Sequence, residues 1–311
     1  MSTQSDAIRA SALGAQAAAP AVISPWQSFY WSVRRELWEN RSVYLAPLGV
    51  AAVFLVGFVI TSFRLPAKLR GLSGLDPMHY RDAIAQPYDN AAGLMMITGI
   101  LVSVFYCADA LYGERRDRSI LFWKSLPVSD LTTVLAKASI PLVILPLLVS
   151  ALAIAMQFVM LLMSSIVLLG SGVSVASLWT QLPLFQMSLL MLYHIATAHT
   201  LWPAPIYSWL MLVSGWARRA VLLWAILPIM AIAGLEAIAF RTWHFAELVG
   251  RRFIGDAHSV AVAPGDMFPT NPMVHPTPGH FLLAPGLWAG LLVTAIFLAL
   301  AVRLRRYRAP I

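Results

Sequence analysis

The chain has 311 residues, 59% of them hydrophobic and only 12% charged, with a mean hydropathy of +0.73, whereas soluble domains carry roughly 25% charged residues. That balance excludes a soluble globular protein and predicts one all-α domain embedded in a membrane. The net charge of +8 does not signal nucleic acid, because the basic residues sit at the ends of apolar runs and form no separate basic domain.

Residues 1–25 are rich in Ala and Ser and lack the compact apolar core of a secretory signal, which predicts a disordered cytoplasmic tail. A single transmembrane domain then runs over 26–308. Its first element, 26–41, sets Trp26, Phe29, Tyr30, Val33, Leu37 and Trp38 at spacings of three and four, with Arg34, Arg35, Glu36 and Glu39 between them. This is the pattern of an interfacial helix with its aromatics at headgroup level. Residues 43–63 are uncharged and long enough to cross a hydrocarbon core of about 30 Å, so they form the first span. A polar loop is expected over 64–90, and 91–112 form the second span.

The third apolar run, 131–169, opens behind Ser129 or Asp130 as helix cap. As one helix it would be roughly 58 Å long, more than the ~45 Å of a bilayer with its headgroups. Pro141 and Pro146 lie in its first half, so it should project from the membrane or bend near Pro141, with Lys137 snorkelling at the interface. Residues 170–181 read as a short uncharged turn. The fourth run, 182–213, contains Pro203 and Pro205, which predict a kink or a broken helix. A tight turn with Trp216, Arg218 and Arg219 leads to the fifth span, 220–240, which carries Glu236. A loop over 241–281, rich in Pro, Gly and His, precedes the sixth span, 282–302. A basic tail with Arg303, Arg305, Arg306 and Arg308 follows.

With six spans and both ends inside, 15 of the 22 Lys and Arg residues fall on the cytoplasmic side, as positive residues near span ends should. Four of them, Arg115, Arg116, Arg118 and Lys124, lie in the polar stretch between spans two and three, GERRDRSILFWKSLPVSD. Interleaved Ile120, Leu121, Phe122, Trp123 and Leu126 suit a short surface helix. Starting near Asp117 and ended by Pro127, it would put Ile120, Trp123 and Leu126 on one side and Arg118 and Lys124 elsewhere. A plain connector made basic by topology gives the same composition.

Few groups in the chain suggest chemistry. The single cysteine, Cys107, lies in an apolar run and permits no intramolecular disulfide. Asp109 near the end of span two and Glu236 in span five are acids at membrane depth, hence candidates for function, although pairing or solvation explains Asp109 equally. His194 and His199 in span four are five residues apart and point in different directions on a helix, so packing roles are expected and no metal pair. His244, Glu247, Asp256, His258, His275 and His280 form no regular metal motif. There is no phosphate-cradling glycine loop, so the chain itself should not hydrolyse ATP.

This arrangement resembles the permease subunits of ABC-2 type ATP-binding-cassette transporters, from Trp26 onward. An amphipathic elbow helix precedes span one; the loop ERRDRSILFWKSLPVSD, followed by Lys137, joins spans two and three; and the short turn SGWARRA joins spans four and five. The resemblance implies an exporter subunit in the bacterial inner membrane. It would act as a homodimer or with a paralogous permease, among membrane lipids, with ATP and Mg held by a separate ATPase subunit. Arg116, Arg118, Ile120, Leu121, Trp123, Lys124, Leu126 and Pro127 would form the coupling helix that docks on that ATPase. The loops 64–90 and 241–281 look longer than the minimal family plan. Two other readings stay open: a membrane-embedded enzyme using His244, His258 or Glu236, and an ion-coupled carrier using Asp109 and Glu236, though the halves show no repeat of the kind many carriers have.

Overall fold

The computed structural model describes residues 24–72, 77–125, 128–171, 175–182, 184–254 and 278–307, and all regular structure among them is helical. Helix α1 (Pro25–Glu39) leads, after Asn40 and Arg41, into α2 (Ser42–Ser62). Short α3 (Leu65–Leu72) precedes long α4 (Pro77–Asp109), and α5 (Tyr112–Arg116) and α6 (Ile120–Ser125) follow it. Next come α7 (Asp130–Ser139), a π turn (Ile140–Ile144) and α8 (Leu145–Ser171). Helices α9 (Val175–Gln181) and α10 (Leu184–His194), a π segment (Ile195–Leu201) and α11 (Ala204–Trp216) come after them. The chain then forms α12 (Val221–Phe240), α13 (His244–Ile254), α14 (Pro278–Leu283) and α15 (Pro285–Tyr307).

Among the described residues five helical stretches are long and apolar enough to cross a membrane: α2, α4 with α5, α7 through α8, α12 and α15. Their outward faces carry bare apolar side chains, such as Val53, Ile60, Leu235 and Ile238. In water each would forgo about 1.5–3 kcal/mol of burial; among acyl chains the penalty vanishes. The protein is therefore an all-α, multi-pass membrane protein. Residues 184–216 give no single helix of that kind. They break at Trp202 and Pro203, between the π segment and α11, because Pro203 and Pro205 supply no N–H to the preceding turn.

Helix α4 is the central post. Over its most apolar 18 residues 56% are buried, against 17% for α2 and for α12. It packs against α2, α8 and α11, and α11 in turn runs along α15. Gly99 lets α4 approach α8 closely, since a Cβ there would stand 3.2 Å from a methyl of Val149.

Several expected boundaries move. The loop expected over 64–90 is largely helical: α3 fills its start and α4 begins at Pro77, not at residue 91. Ile84 and Tyr88 are buried, and the Ala83 carbonyl, four residues before Pro87, accepts a 3.0 Å bond from Lys68 Nζ. A lysine outside the first span thus satisfies the acceptor that proline frees. The turn expected over 170–181 contains α9, whose Trp179 indole donates to Ser165 Oγ at 3.1 Å. In the third run Pro141 lacks a donor, and the ladder shifts there to π spacing, Leu145 N–H reaching the Ile140 carbonyl. Helix α15 extends to Tyr307, so Arg303, Arg305 and Arg306 belong to its last turns and not to a tail.

Candidate functional site

Where α4, α11 and α15 end and α7 begins, six charged side chains meet: Arg35 and Glu36 of α1, Glu114 of α5, Asp130 and Lys137 of α7, and Arg305 of α15. Lys137 Nζ lies 2.8 Å from Glu36 and 3.2 Å from Glu114. Arg35 contacts the same two carboxylates at 2.7 and 3.4 Å. Arg305 reaches Glu114 at 3.3 Å and also pairs with Asp130. The Tyr106 hydroxyl donates to Glu36 at 3.1 Å.

Glu36, Lys137 and Arg305 are at most 3% exposed, and Glu114 6%, so water does little of the screening. Removing an ion from water costs several kcal/mol, and mutual attraction offsets this only when every charge has its partner. Three acids face three bases here, and they come from four helices far apart in the chain. The network therefore exists only when α1, α5, α7 and α15 are docked together.

Burial pushes the Glu36 carboxyl up, but Lys137 and Arg35 outweigh it and hold the group below its ordinary value of 4.5. An acid depressed by folding stabilises the fold above its unfolded value, and the contribution disappears as pH falls through the lower folded value. Glu39, pushed up by burial, opposes this. Thermal melts taken from neutral pH to well below 4.5 should show an acid limb that is shallower in Glu36→Gln; identical limbs would contradict the assignment.

The polar stretch after α4 is fastened to this network. Ser214 Oγ, at the end of α11, accepts from the N–H groups of Leu111 at 3.0 Å and Tyr112 at 2.8 Å, capping α5 from another helix. Arg115 is buried and donates to the carbonyls of Gly215 at 2.8 Å and Ala217 at 3.1 Å. Arg118 takes a left-handed conformation, φ 58°, so α6 starts at Ile120 instead of near Asp117, which instead closes α5.

That late start rotates the short helix. Ile120 is 2% exposed, and Trp123 turns inward so that the Arg35 guanidinium lies 4.0 Å above its ring. Leu121 and Phe122 are the apolar residues that point out, each 60% exposed. Lys124 bonds the Arg306 carbonyl at 3.3 Å, and Arg116 pairs with Asp117 at 2.9 Å and Asp109 at 3.8 Å. The side that the spacing assigns to Ile120 and Trp123 is thus the anchored side. Leu126 and Pro127 lie outside the described residues.

The amphipathic helix divides differently from its sequence pattern too. Ser32 and Glu36 are its buried residues, with Phe29, Val33 and Leu37 partly covered on the same side, while Trp26, Tyr30 and Trp38 stay exposed. Size of side chain misled here: the charged residues, by pairing, drew the face that packs on α7.

The remaining candidates are not brought into this site. Asp109 is exposed and paired with Arg116. Glu236 accepts from Thr242 Oγ1 at 2.8 Å and from the N–H groups of His244 at 2.9 Å and Phe245 at 2.8 Å, capping α13. Glu236→Ala should therefore fray α13, seen as faster amide exchange in His244–Ile254 with the rest of the bundle unchanged. His194 lies in α10 and His199 in the following π segment; their side chains, like residues His258 and His275, lie outside the described set. Among the described residues no cluster of His, Cys, Asp or Glu suits a metal ion.

Sequence reading missed Glu36, Glu114 and Arg305 and took Lys137 for a snorkelling residue. A usable signal was present in Lys137, flanked by Val134, Ala136 and Ala138, since a lysine among such apolar neighbours needs a carboxylate partner. The chain matches no protein-family model and no curated protein.

Proposed function

We propose that the chain is the transmembrane subunit of an ATP-driven exporter of the ABC-2 kind. In this reading α2, α4, α7 with α8, the broken pair α10 and α11, α12 and α15 are six spans, with α1 as the elbow and α6 as the coupling helix. The ion network marks the cytoplasmic side of a bacterial inner membrane. A second permease, identical or paralogous, completes the pathway, and a separate ATPase subunit binds ATP and Mg beneath it.

The observation that carries this reading is the two-sidedness of α6. Leu121 and Phe122 stand bare at the charged end of the bundle, and the basic residues near them in the chain, Arg116, Arg118 and Lys124, are exposed as well. A bare aromatic and its apolar neighbour beside exposed basic residues have the anatomy of a docking surface. On the other side, Ile120 is buried, and Trp123 lies under the guanidinium of Arg35, a member of the ion network on α1. A push on α6 then reaches α1, α7 and α15 as a rigid load, because displacing any one of them would strand a buried charge. For work to result, ATP binding must favour one permease state over the other. Glu236 caps α13 and Asp109 pairs with Arg116 at the surface, so these acids lend the carrier reading no support.

The test is affinity capture of the tagged full-length chain in mild detergent, with identification of copurifying proteins and an ATPase assay on the eluate. Recovery of a nucleotide-binding subunit with ATPase activity supports the reading. A pure, ATPase-free oligomer recovered under conditions that preserve complexes would overturn it.

A further inference from the structure

Arg34 is the one arginine of α1 that no carboxylate among the described residues neutralises. Its neighbour Arg35 is held by Glu36, Glu39 and Glu114, whereas no carboxylate among the described residues pairs with Arg34. Instead its guanidinium lies 5.1 Å from the ring centre of Trp31 and 4.7 Å from that of Trp38. Residues 31, 34 and 38 follow one another at three and four, so the three side chains form a ladder along one stripe of the helix. Both indoles are exposed, at 56% and 63%, and neither indole N–H donates to a described residue. Tyr30 packs edge-on against Trp31, with ring centres 5.5 Å apart.

A guanidinium between two aromatic faces is held in place yet keeps its N–H edge free, and that edge matches phosphate oxygens in bidentate fashion. The indoles are suited to the depth where acyl chains meet headgroups. Only Asn40 and Arg41 separate α1 from the spanning helix α2, so Trp38 stands within about one turn of the membrane boundary. Arg41 beside it is exposed as well. Charge, donor geometry and depth agree on one occupant.

We infer that Trp31, Arg34 and Trp38 form a binding site for the phosphate of an anionic phospholipid headgroup, which fixes the α1 helix on the membrane surface. This goes beyond the transporter reading and depends only on the membrane placement. Because Arg35 and Glu36 on the same helix belong to the ion network, lipid bound at the ladder also braces that network.

The test titrates the purified full chain in detergent with phosphatidylglycerol or with phosphatidylcholine and counts bound lipid by native mass spectrometry. The wild type should hold at least one phosphatidylglycerol more tightly than any phosphatidylcholine. Arg34→Gln should weaken that lipid roughly five-fold, the equivalent of the ~1 kcal/mol contributed by one basic residue at an anionic surface. Trp31→Leu with Trp38→Leu should weaken it while leaving the charge in place, and Arg303→Gln with Arg306→Gln should leave it unchanged. Equal affinity for the two lipids overturns the site, as does undiminished phosphatidylglycerol binding in Arg34→Gln. Displacement by inorganic phosphate at comparable concentration would make it a soluble-anion site and overturn the lipid assignment. Arg34 has no ion pair to lose among the described residues, so the Gln variant should keep the wild-type melting temperature, checked in the same preparations.

Discussion

Lys137→Met should destabilise the protein by about 3–5 kcal/mol, the cost of stranding a buried partner. Lys137 is 3% exposed and stands between Glu36 and Glu114, which are 1% and 6% exposed. Removing the ammonium leaves two carboxylates facing each other with Arg35 and Arg305 as their remaining counter-ions. Adding Glu36→Gln should recover a substantial part of the loss, because without Lys137 three carboxylates face only Arg35 and Arg305, and the amide removes the excess negative charge while still accepting from Tyr106. Reversible unfolding in detergent, run as a double-mutant cycle, measures both effects. Singles that cost under about 1 kcal/mol, or strictly additive effects, would show that water reaches the network and that it is not the clamp described here.

Leu121→Ala combined with Phe122→Ala should leave the chain folded and inserted yet, under the proposed transporter reading, lose the proposed ATPase partner. Both side chains are 60% exposed, so truncation opens no cavity. At a docking hot spot each would contribute about 2 kcal/mol or more, and losing even one such contribution weakens binding roughly 30-fold. Trp123→Ala should act in the opposite order, lowering thermal stability first, because it removes the ring beneath Arg35. Copurification and ATP-dependent transport by the two variants separate the roles. Wild-type assembly and transport in the Leu121, Phe122 variant would overturn the proposed coupling role of α6. Loss of assembly with Trp123→Ala at unchanged stability would reverse the assignment of its two faces.

Both expectations turn on one difference between pattern and structure. The stretch after α4 is marked in the sequence by its composition, polar and basic between two apolar runs. Its local helix is legible as well, but not the rotation of that helix. A single left-handed residue, Arg118 at φ 58°, delays the helix to Ile120 and exchanges its inner and outer faces. Nothing in local spacing announces a non-glycine residue in that conformation, which L side chains rarely adopt. The helix α1 shows the same limit. Its aromatics are spaced for one face, yet the pairing of Glu36 with Lys137 places Ser32 and Glu36 against the protein and leaves Trp31 and Trp38 outside.

Taken by itself, the sequence determined that this chain is helical and membrane-embedded, where its apolar runs lie, that the fourth is interrupted and that the basic stretch follows the second. All of these follow from hydropathy, length and proline, which act over a few residues to a few turns. Only the tertiary structure decided which charges are buried and which face outward. Lys137 meets Glu36 across 101 positions, Arg35 meets Glu114 across 79, and Arg305 meets Glu114 across 191. Helices distant in the chain bring those groups together, and the high cost of an unpaired ion away from water then makes each pairing a condition of the fold.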